Sequence, residues 1–463
     1  MSNLHENSCT GAAMKSDELF ELLSRAESHL KAGRLKQAKS AYRRILSAYP
    51  KSTEAHFRMA ILLHDENDPD GAVWHFQRLL QLSPKLAEVH FNLGTILVRL
   101  GRKQEAAESF GRAVELQPSM ADAHNNLGIV LRDQGDMERA IESFESAIRH
   151  APRLVSALVN LGTTLIKCRR PDRAVEVCRL ARELNPELAE AHLALGLALE
   201  QAGQKEEATQ CLQEAVRRKP ESAEWQFHLA ASRGLDVPLI APAEYVASLF
   251  DAYAVRFDEH LRGSLHYRSP EHILSAVLAA APDRRFDILD LGCGTGLCGD
   301  LFRPVANRLV GIDLSSEMIR AATDRGIYHD LQVHDIVGFL RNRIAEFDLI
   351  LAADVFVYVG DLNETFLLTS AALRPNGLFA FSVEAAEESP HGSTPVNGYH
   401  LNPSRRYSHT LGYVRQLASQ HGFSERCAEL ATLRTQAGSE VRGWIVVLQR
   451  RKDERQQPSR AAC

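Results

Sequence analysis

The sequence predicts two domains of unlike class: an all-α repeat solenoid followed by an α/β unit with a doubly wound parallel sheet. Three observations predict it. Proline recurs at an interval of 34 residues, at Pro50, Pro84, Pro118, Pro152, Pro186 and Pro220. From residue 286 onward, short apolar runs alternate with helical patterns, the signature of βαβ units. Between the halves, Gly234 to Pro242 breaks the helical periodicity, and 463 residues exceed what one ordinary core organises.

Composition narrows the class. A net charge of −5 carries no basic excess of the kind a nucleic-acid binder needs, so none is expected. No run approaches the ~18 apolar residues of a spanning helix, and residues 1–15 lack the apolar core of a secretory signal. The eight cysteines show neither C-x-x-C nor zinc-like spacing. Four of them fall in helical or strand patterns and read as small buried hydrophobes; a reducing cytoplasm fits best, and no metal is expected.

The 34-residue interval also links Ala38, Ala72, Ala106, Ala140, Ala174 and Ala208, and again Tyr42, Phe76, Phe110, Phe144, Cys178 and Leu212. Within one unit, apolar residues from Ala121 to Leu131 fall three and four apart, giving a first helix. Gly135 interrupts it, residues 138–147 form a second helix with Ala140, Phe144 and Ala147 inward, and Pro152 ends the pair. Alanine and glycine at the crossing let the two helices approach closely. This unit resembles the tetratricopeptide repeat. Residues 19–220 hold six such repeats and residues 221–232 read as a capping helix, after a flexible stretch at 1–18. The resemblance implies a concave face, lined by the first helix of each pair, that docks a protein or peptide. Asn92, Asn126 and Asn160 share one position on successive first helices and offer paired amide donors and acceptors to such a peptide. His56, His90, His124 and His192 also share a position; it is a packing slot, so they read as packed histidines rather than metal ligands.

After the linker at 234–242, residues 243–262 are helical, with Tyr245, Phe250, Tyr253 and Phe257; the stretch is a helix packed on the next domain or a lid over a site. Strands are expected at 286–291, 308–313, 331–334, 347–352, 377–383, 426–433 and 443–448. Helices are expected between them at 296–305, 315–325, 362–374 and 407–421, and the last two strands form a hairpin that places one antiparallel strand in the sheet. Ligands of such sheets sit at the carboxyl ends of the strands.

The first strand runs through Asp290 into Gly292, Cys293, Gly294, Thr295 and Gly296. Gly294, Gly296 and Gly299 fit a dinucleotide fingerprint, but a carboxylate leading into the turn repels a pyrophosphate. Asp290 suits a ligand that is cationic or carries an amine. The turn resembles the first motif of class I S-adenosylmethionine-dependent methyltransferases, and further motifs follow in order. Asp313 and Leu314 end the second strand, Asp335 and Ile336 the third, and Asp354 the fourth, while Arg374 to Gly377 forms the turn before the fifth. The resemblance extends over residues 243–450, and with the repeats the whole chain is similar to bacterial tetratricopeptide-repeat-containing methyltransferases. Phe257 to Leu261, Asp354 to Asp361 and Arg406 to His409 belong to that resemblance.

The resemblance implies a Rossmann-like, seven-stranded methyltransferase sheet and S-adenosylmethionine as the cofactor. Gly292, Cys293, Gly294 and Gly296 would seat its methionine part and ribose edge. Asp313 would hold the ribose and Asp335 the adenine, Leu314 and Ile336 would also bind the cofactor, and Asp354 would stand where donor meets acceptor. Tyr358, Glu384, His400, Tyr407 and His409 follow the fourth and fifth strands on the acceptor side; Tyr358 and His409 are the catalytic candidates, His409 as general base. Residues 387–402 form a loop that can cover the acceptor, and residues 451–463 read as a disordered tail. The acceptor stays open between a small molecule, which the missing amide-binding motif after the fourth strand favours, and a protein recruited by the repeats. A scaffold with a vestigial cofactor domain is the non-enzymatic alternative.

Overall fold

The computed structural model describes residues 6–452, apart from residues 252, 255, 256, 260, 262, 264, 387–396 and 437–438; side chains are described from residue 17, that of residue 436 excepted. All but the first two residues of the expected tail at 451–463, and most of the expected covering loop, therefore lie outside the described residues. The chain divides into two compact units at Cys211/Leu212.

In the first unit, 13-residue helices alternate with 14-residue helices: Thr53–Asp65 then Pro69–Leu82, Ala87–Arg99 then Lys103–Leu116, Ala121–Asp133 then Met137–His150, and Val155–Lys167 then Pro171–Leu184. The first described helix, Glu6–Lys31, begins well before the repeat pattern does. The close crossing inside each pair is steric. A Cβ at Gly94 would lie 2.8 Å from Phe110, and one at Gly128 would lie 2.7 Å from Phe144. At Gly162 it would lie 2.2 Å from the Sγ of Cys178, which replaces the aromatic ring in that repeat. The recurrent histidines tie each pair to the one before. Nε2 of His56, His90, His124 and His192 faces the carbonyl of Pro50, Pro84, Pro118 and Pro186 at 3.1, 3.1, 3.0 and 2.8 Å. The imidazole thus satisfies a carbonyl that the terminating proline leaves free. The asparagine row is partly engaged: Asn160 donates to Asn125 Oδ1 at 3.0 Å and accepts from Arg132 at 3.4 Å.

In the second unit the strands are β1 (Phe286–Leu291), β2 (Ala306–Asp313), β3 (Asp330–Val333), β4 (Phe347–Ala352), β5 (Leu373–Ala385), β6 (Tyr399–Leu401), β7 (Tyr407–His409), β8 (Phe423–Gln436) and β9 (Ser439–Arg450). Neighbours run β3-β2-β1-β4-β5-β9-β8, with β9 antiparallel to both β5 and β8 and the rest of that row parallel. These are the seven strands expected. β6 and β7 add a short antiparallel hairpin whose β7 runs parallel to the end of β5. The sequence placed Tyr407 to His409 in a helix; instead the helix starts at Leu411, because Thr410 Oγ1 accepts the Tyr413 N–H at 3.2 Å and caps it there.

The helix Ala223–Arg233, expected as a cap, packs within this second unit: Phe227 is fully buried, 5.3 Å from the Tyr245 ring and 6.2 Å from that of Tyr407. The expected linker is also pinned. Tyr407 donates to the Pro238 carbonyl at 2.8 Å, Ala241 N–H to the Tyr358 carbonyl at 2.9 Å, and Gly360 N–H to the Leu239 carbonyl at 2.8 Å. Among the described residues no helix is long and apolar enough to cross a membrane.

Candidate functional site

The glycine turn works as a turn because its backbone is left-handed. Gly292, Gly294 and Gly296 have φ of 65°, 54° and 94°, where a side chain is strained. Gly292 also meets Val355, whose Cγ2 would lie 2.6 Å from an added Cβ. Asp313, at the end of β2, locks the turn: one carboxylate oxygen accepts the Gly294 N–H and the other the Ser315 N–H, each at 2.9 Å. Its carboxyl sits above the usual range because burial outweighs those bonds.

Asp290 is 1% exposed, and its Oδ2 accepts the Tyr328 hydroxyl at 2.7 Å. Burial pushes its pKa up to about 7; the Tyr328 bond opposes the rise and nearby Asp313 adds to it. Tyr328 is a site residue that sequence reading missed. Its ring fills the space beside Gly299 and Gly311, where added Cβ atoms would lie 2.4 and 2.8 Å from it. Gly299, the last glycine of the apparent dinucleotide fingerprint, therefore makes room for a tyrosine. That was the available signal: a glycine in a strand and a glycine in a helix mark a close approach.

A cavity of about 560 Å³ opens along the carboxyl ends of β1, β2 and β4. It brings together Asp290, Gly292, Cys293, Gly294, Asp313 and Leu314 at one end and Asp335, Ile336, Asp354 and Tyr358 along its length. Asp335 also caps the short helix Ile336–Leu340 by accepting the Gly338 N–H at 2.7 Å. Gly296 caps the next helix and is not among the lining residues. Phe250 and Phe257 form a wall of the cavity. Their segment is tied down by Ser315 Oγ donating to Asp251 and Thr295 Oγ1 donating to Asp258, both at 2.5 Å.

On the acceptor side the structure separates the candidates. Tyr358 lines the cavity, but His409 does not. The His409 imidazole is fully buried, its Nε2 is 3.0 Å from the Gly360 carbonyl, and it stacks on Tyr413 at 6.0 Å. Burial lowers its pKa to about 4. The position expected of a base is thus taken by a packing histidine inside β7. Tyr407 is buried on the linker and His400 is exposed on β6. Glu384 is nearly buried and accepts from Arg434 and, at 3.5 Å, from Arg406; both arginines line the cavity. Arg434 also donates to Asp354 Oδ2 at 2.7 Å. Asp354 itself has φ of 58°, held by its N–H on Ser382 Oγ at 2.8 Å.

Arg434 was missed because the strand was expected to end at Leu433, one residue short of it. Both are buried because β8 bulges between Thr432 and Arg434. Gly443 on β9 gives the room: a Cβ there would lie 2.3 Å from Leu433 and from the Val383 carbonyl.

Comparison with known proteins also finds repeats followed by a second domain, with the repeat match running past Cys211. The tetratricopeptide repeat matches residues 23–87, 91–155 and 169–231, and a methyltransferase domain matches residues 289–379. Over 138 residues the chain is 28% identical to a malonyl-[acyl-carrier protein] O-methyltransferase of Salmonella typhimurium, covering 30% of this chain and 52% of that one. Over 108 residues it is 29% identical to a ubiquinone biosynthesis O-methyltransferase of Pasteurella multocida, covering 20% and 45%. The chain thus spans about half the length of these curated relatives. Among solved structures, PilF of Pseudomonas aeruginosa matches 46% of this chain and 96% of its own at 23% identity and a TM-score of 0.40. The chain is a tetratricopeptide-repeat-containing protein with a methyltransferase domain.

Proposed function

We propose that the second unit transfers a methyl group from S-adenosylmethionine to a small molecule, and that the repeats dock a protein or peptide on their concave face. The carrying observation is the pairing of a left-handed glycine turn with Asp290 and Asp313 in the lining of one apolar-walled cavity. The residues fit the cofactor. The turn offers close backbone approach, the acids at the ends of β1 and β2 suit an amine and a diol, and Leu314 and Ile336 give apolar faces for a flat base. Bound there, S-adenosylmethionine supplies an electrophilic methyl group on a sulfonium.

The chain's own residues then orient and exclude water. Asp290 compensates positive charge, Asp313 fixes both the turn and a ribose edge, and Phe250 and Phe257 wall off solvent; alignment of this kind can supply ~7–11 kcal/mol. No base is assigned, since His409 is sealed behind the Gly360 carbonyl. Calorimetry with S-adenosylmethionine tests the reading: binding is expected, with a loss of at least about tenfold in Asp313→Ala. No binding, or undiminished binding by that variant, refutes it.

A further inference from the structure

The far end of the cavity holds more hydrogen-bond donors than its own carboxylates use. Arg434 is 1% exposed and donates to both Asp354 and Glu384. The second oxygen of Asp354 is sealed and has no hydrogen-bond partner, so it is not offered to a ligand. Asp361 accepts the Asn363 N–H and the Tyr413 hydroxyl, each at 2.9 Å, and Glu364 accepts from Arg341 at 3.0 Å. Arg406 is different. The one hydrogen bond of its guanidinium among the described residues is the 3.5 Å contact to a Glu384 oxygen that Arg434 already takes, and the guanidinium stands 6.0 Å from the Tyr358 ring centre. The Tyr358 hydroxyl has no hydrogen-bond partner among the described residues, and both side chains line the cavity.

A guanidinium has five donors and no acceptor, and it matches a planar pair of oxygens. A phenol beside it adds another donor. Asp354 and Glu384, by contrast, each already accept from the Arg434 guanidinium. Arg406 and Arg434 stand against Asp354 and Glu384, and Glu364 is paired with Arg341.

We propose that the methyl acceptor is a carboxylate on a small apolar molecule, held by the Arg406 guanidinium and the Tyr358 hydroxyl. The proposal rests on the methyltransferase reading above. One carboxylate oxygen forms the bond to the methyl carbon as the carbon–sulfur bond breaks, and that bonding pair remains on sulfur. A cation and an anion become a neutral thioether and a neutral ester. No proton is released, so no general base is needed. Because charge disappears along the step, a dry apolar cavity favours it.

The test loads the full chain with S-adenosylhomocysteine and titrates it calorimetrically with octanoate, octanol and octylamine, three probes of one length. Octanoate should bind about tenfold or more tighter than the other two, as expected for a charge-assisted bidentate contact. Arg406→Gln should remove that preference while S-adenosylhomocysteine still binds, and Arg406→Lys should keep part of it. Equal or tighter binding of octanol or octylamine overturns the proposal, as does a preference unchanged in Arg406→Gln. Failure of S-adenosylhomocysteine to bind refutes the methyltransferase reading instead. Label passed from tritiated S-adenosylmethionine to the small molecules of a cell extract should be released as volatile methanol by mild alkali; alkali-stable label overturns the ester.

Discussion

The two units solve the same problem, close approach of buried elements, with opposite economies. In the repeats each device is used several times: a glycine under a ring at Gly94 and Gly128, a histidine on a proline carbonyl at His56, His90, His124 and His192. In the second unit each device occurs once and several converge on one cavity. Gly299 and Gly311 admit one tyrosine, that tyrosine reaches one aspartate, and a single bulge turns one arginine inward. Redundancy spreads the cost of losing any copy. Convergence concentrates it.

The largest test of that contrast is Arg434→Met. It leaves Asp354 and Glu384 without their shared partner at a position 1% exposed, so denaturation should show a loss of about 3–5 kcal/mol. Arg58→Met removes an exposed i,i+4 pair with Glu54 in the repeats and should change stability by only about 0.5 kcal/mol or less. Similar losses from the two would break the comparison.

A matched pair of glycine substitutions separates stability from binding. Gly128→Ala presses on the Phe144 ring and should cost about 1–3 kcal/mol without altering cofactor affinity. Gly292→Ala presses on Val355 at φ 65°, inside the turn, and should lower cofactor affinity at least about tenfold on top of any loss of stability.

These sites were unequally legible in the sequence. The solenoid was readable because 34-residue register repeats the same residue in the same slot, so chance is excluded by recurrence. The cofactor end was readable because its acids stand at strand ends, where strand and helix periods meet. Tyr328 was not, since its role depends on two glycines 12 residues apart in sequence and on different elements. Arg434 was not, since the strand was expected to end at Leu433, one residue short of it, and a bulge inverts the alternation that strand reading relies on. His409 was misread for a related reason. Three buried residues at Tyr407 to His409 form a strand across from β5, and a strand position inside a hairpin gave the histidine a carbonyl partner rather than a cavity.

The pH response sharpens the convergent side. With Asp290 at about 7, the carboxyl is protonated below that pH and charged above it. A cationic ligand favours the charged form, so binding expels a proton, and affinity should fall about tenfold per pH unit below 7 and level off above it. Titrations of S-adenosylmethionine between pH 5.5 and 8 check this, and Asp290→Asn should flatten the curve. The stability sign is opposite. A carboxyl whose folded pKa is raised makes the free protein less stable as pH rises from about 4 through 7.

The smallest effect comes from a place where redundancy in the repeats is incomplete. The turn between the helices of each pair needs a left-handed residue, and it falls at Gly33, Asn67, Gly101, Gly135, Arg169 and Gly203, again 34 residues apart. Their φ values lie between 55° and 85°. Asparagine tolerates this region through its short polar side chain, but arginine has no such compensation. Left-handed backbone costs a side-chain-bearing residue roughly 1–2 kcal/mol, and glycine loses roughly 0.5–1 kcal/mol of extra chain entropy on folding. The difference favours glycine. Arg169→Gly should therefore stabilise the repeat unit by up to about 1 kcal/mol, and Asn67→Gly by less, since Asn67 also accepts from Arg99 at 2.9 Å. Thermal denaturation of the two variants checks the order. If Arg169→Gly destabilises instead, the arginine side chain stabilises its turn by more than the backbone strain costs, and that repeat would carry a device the others lack.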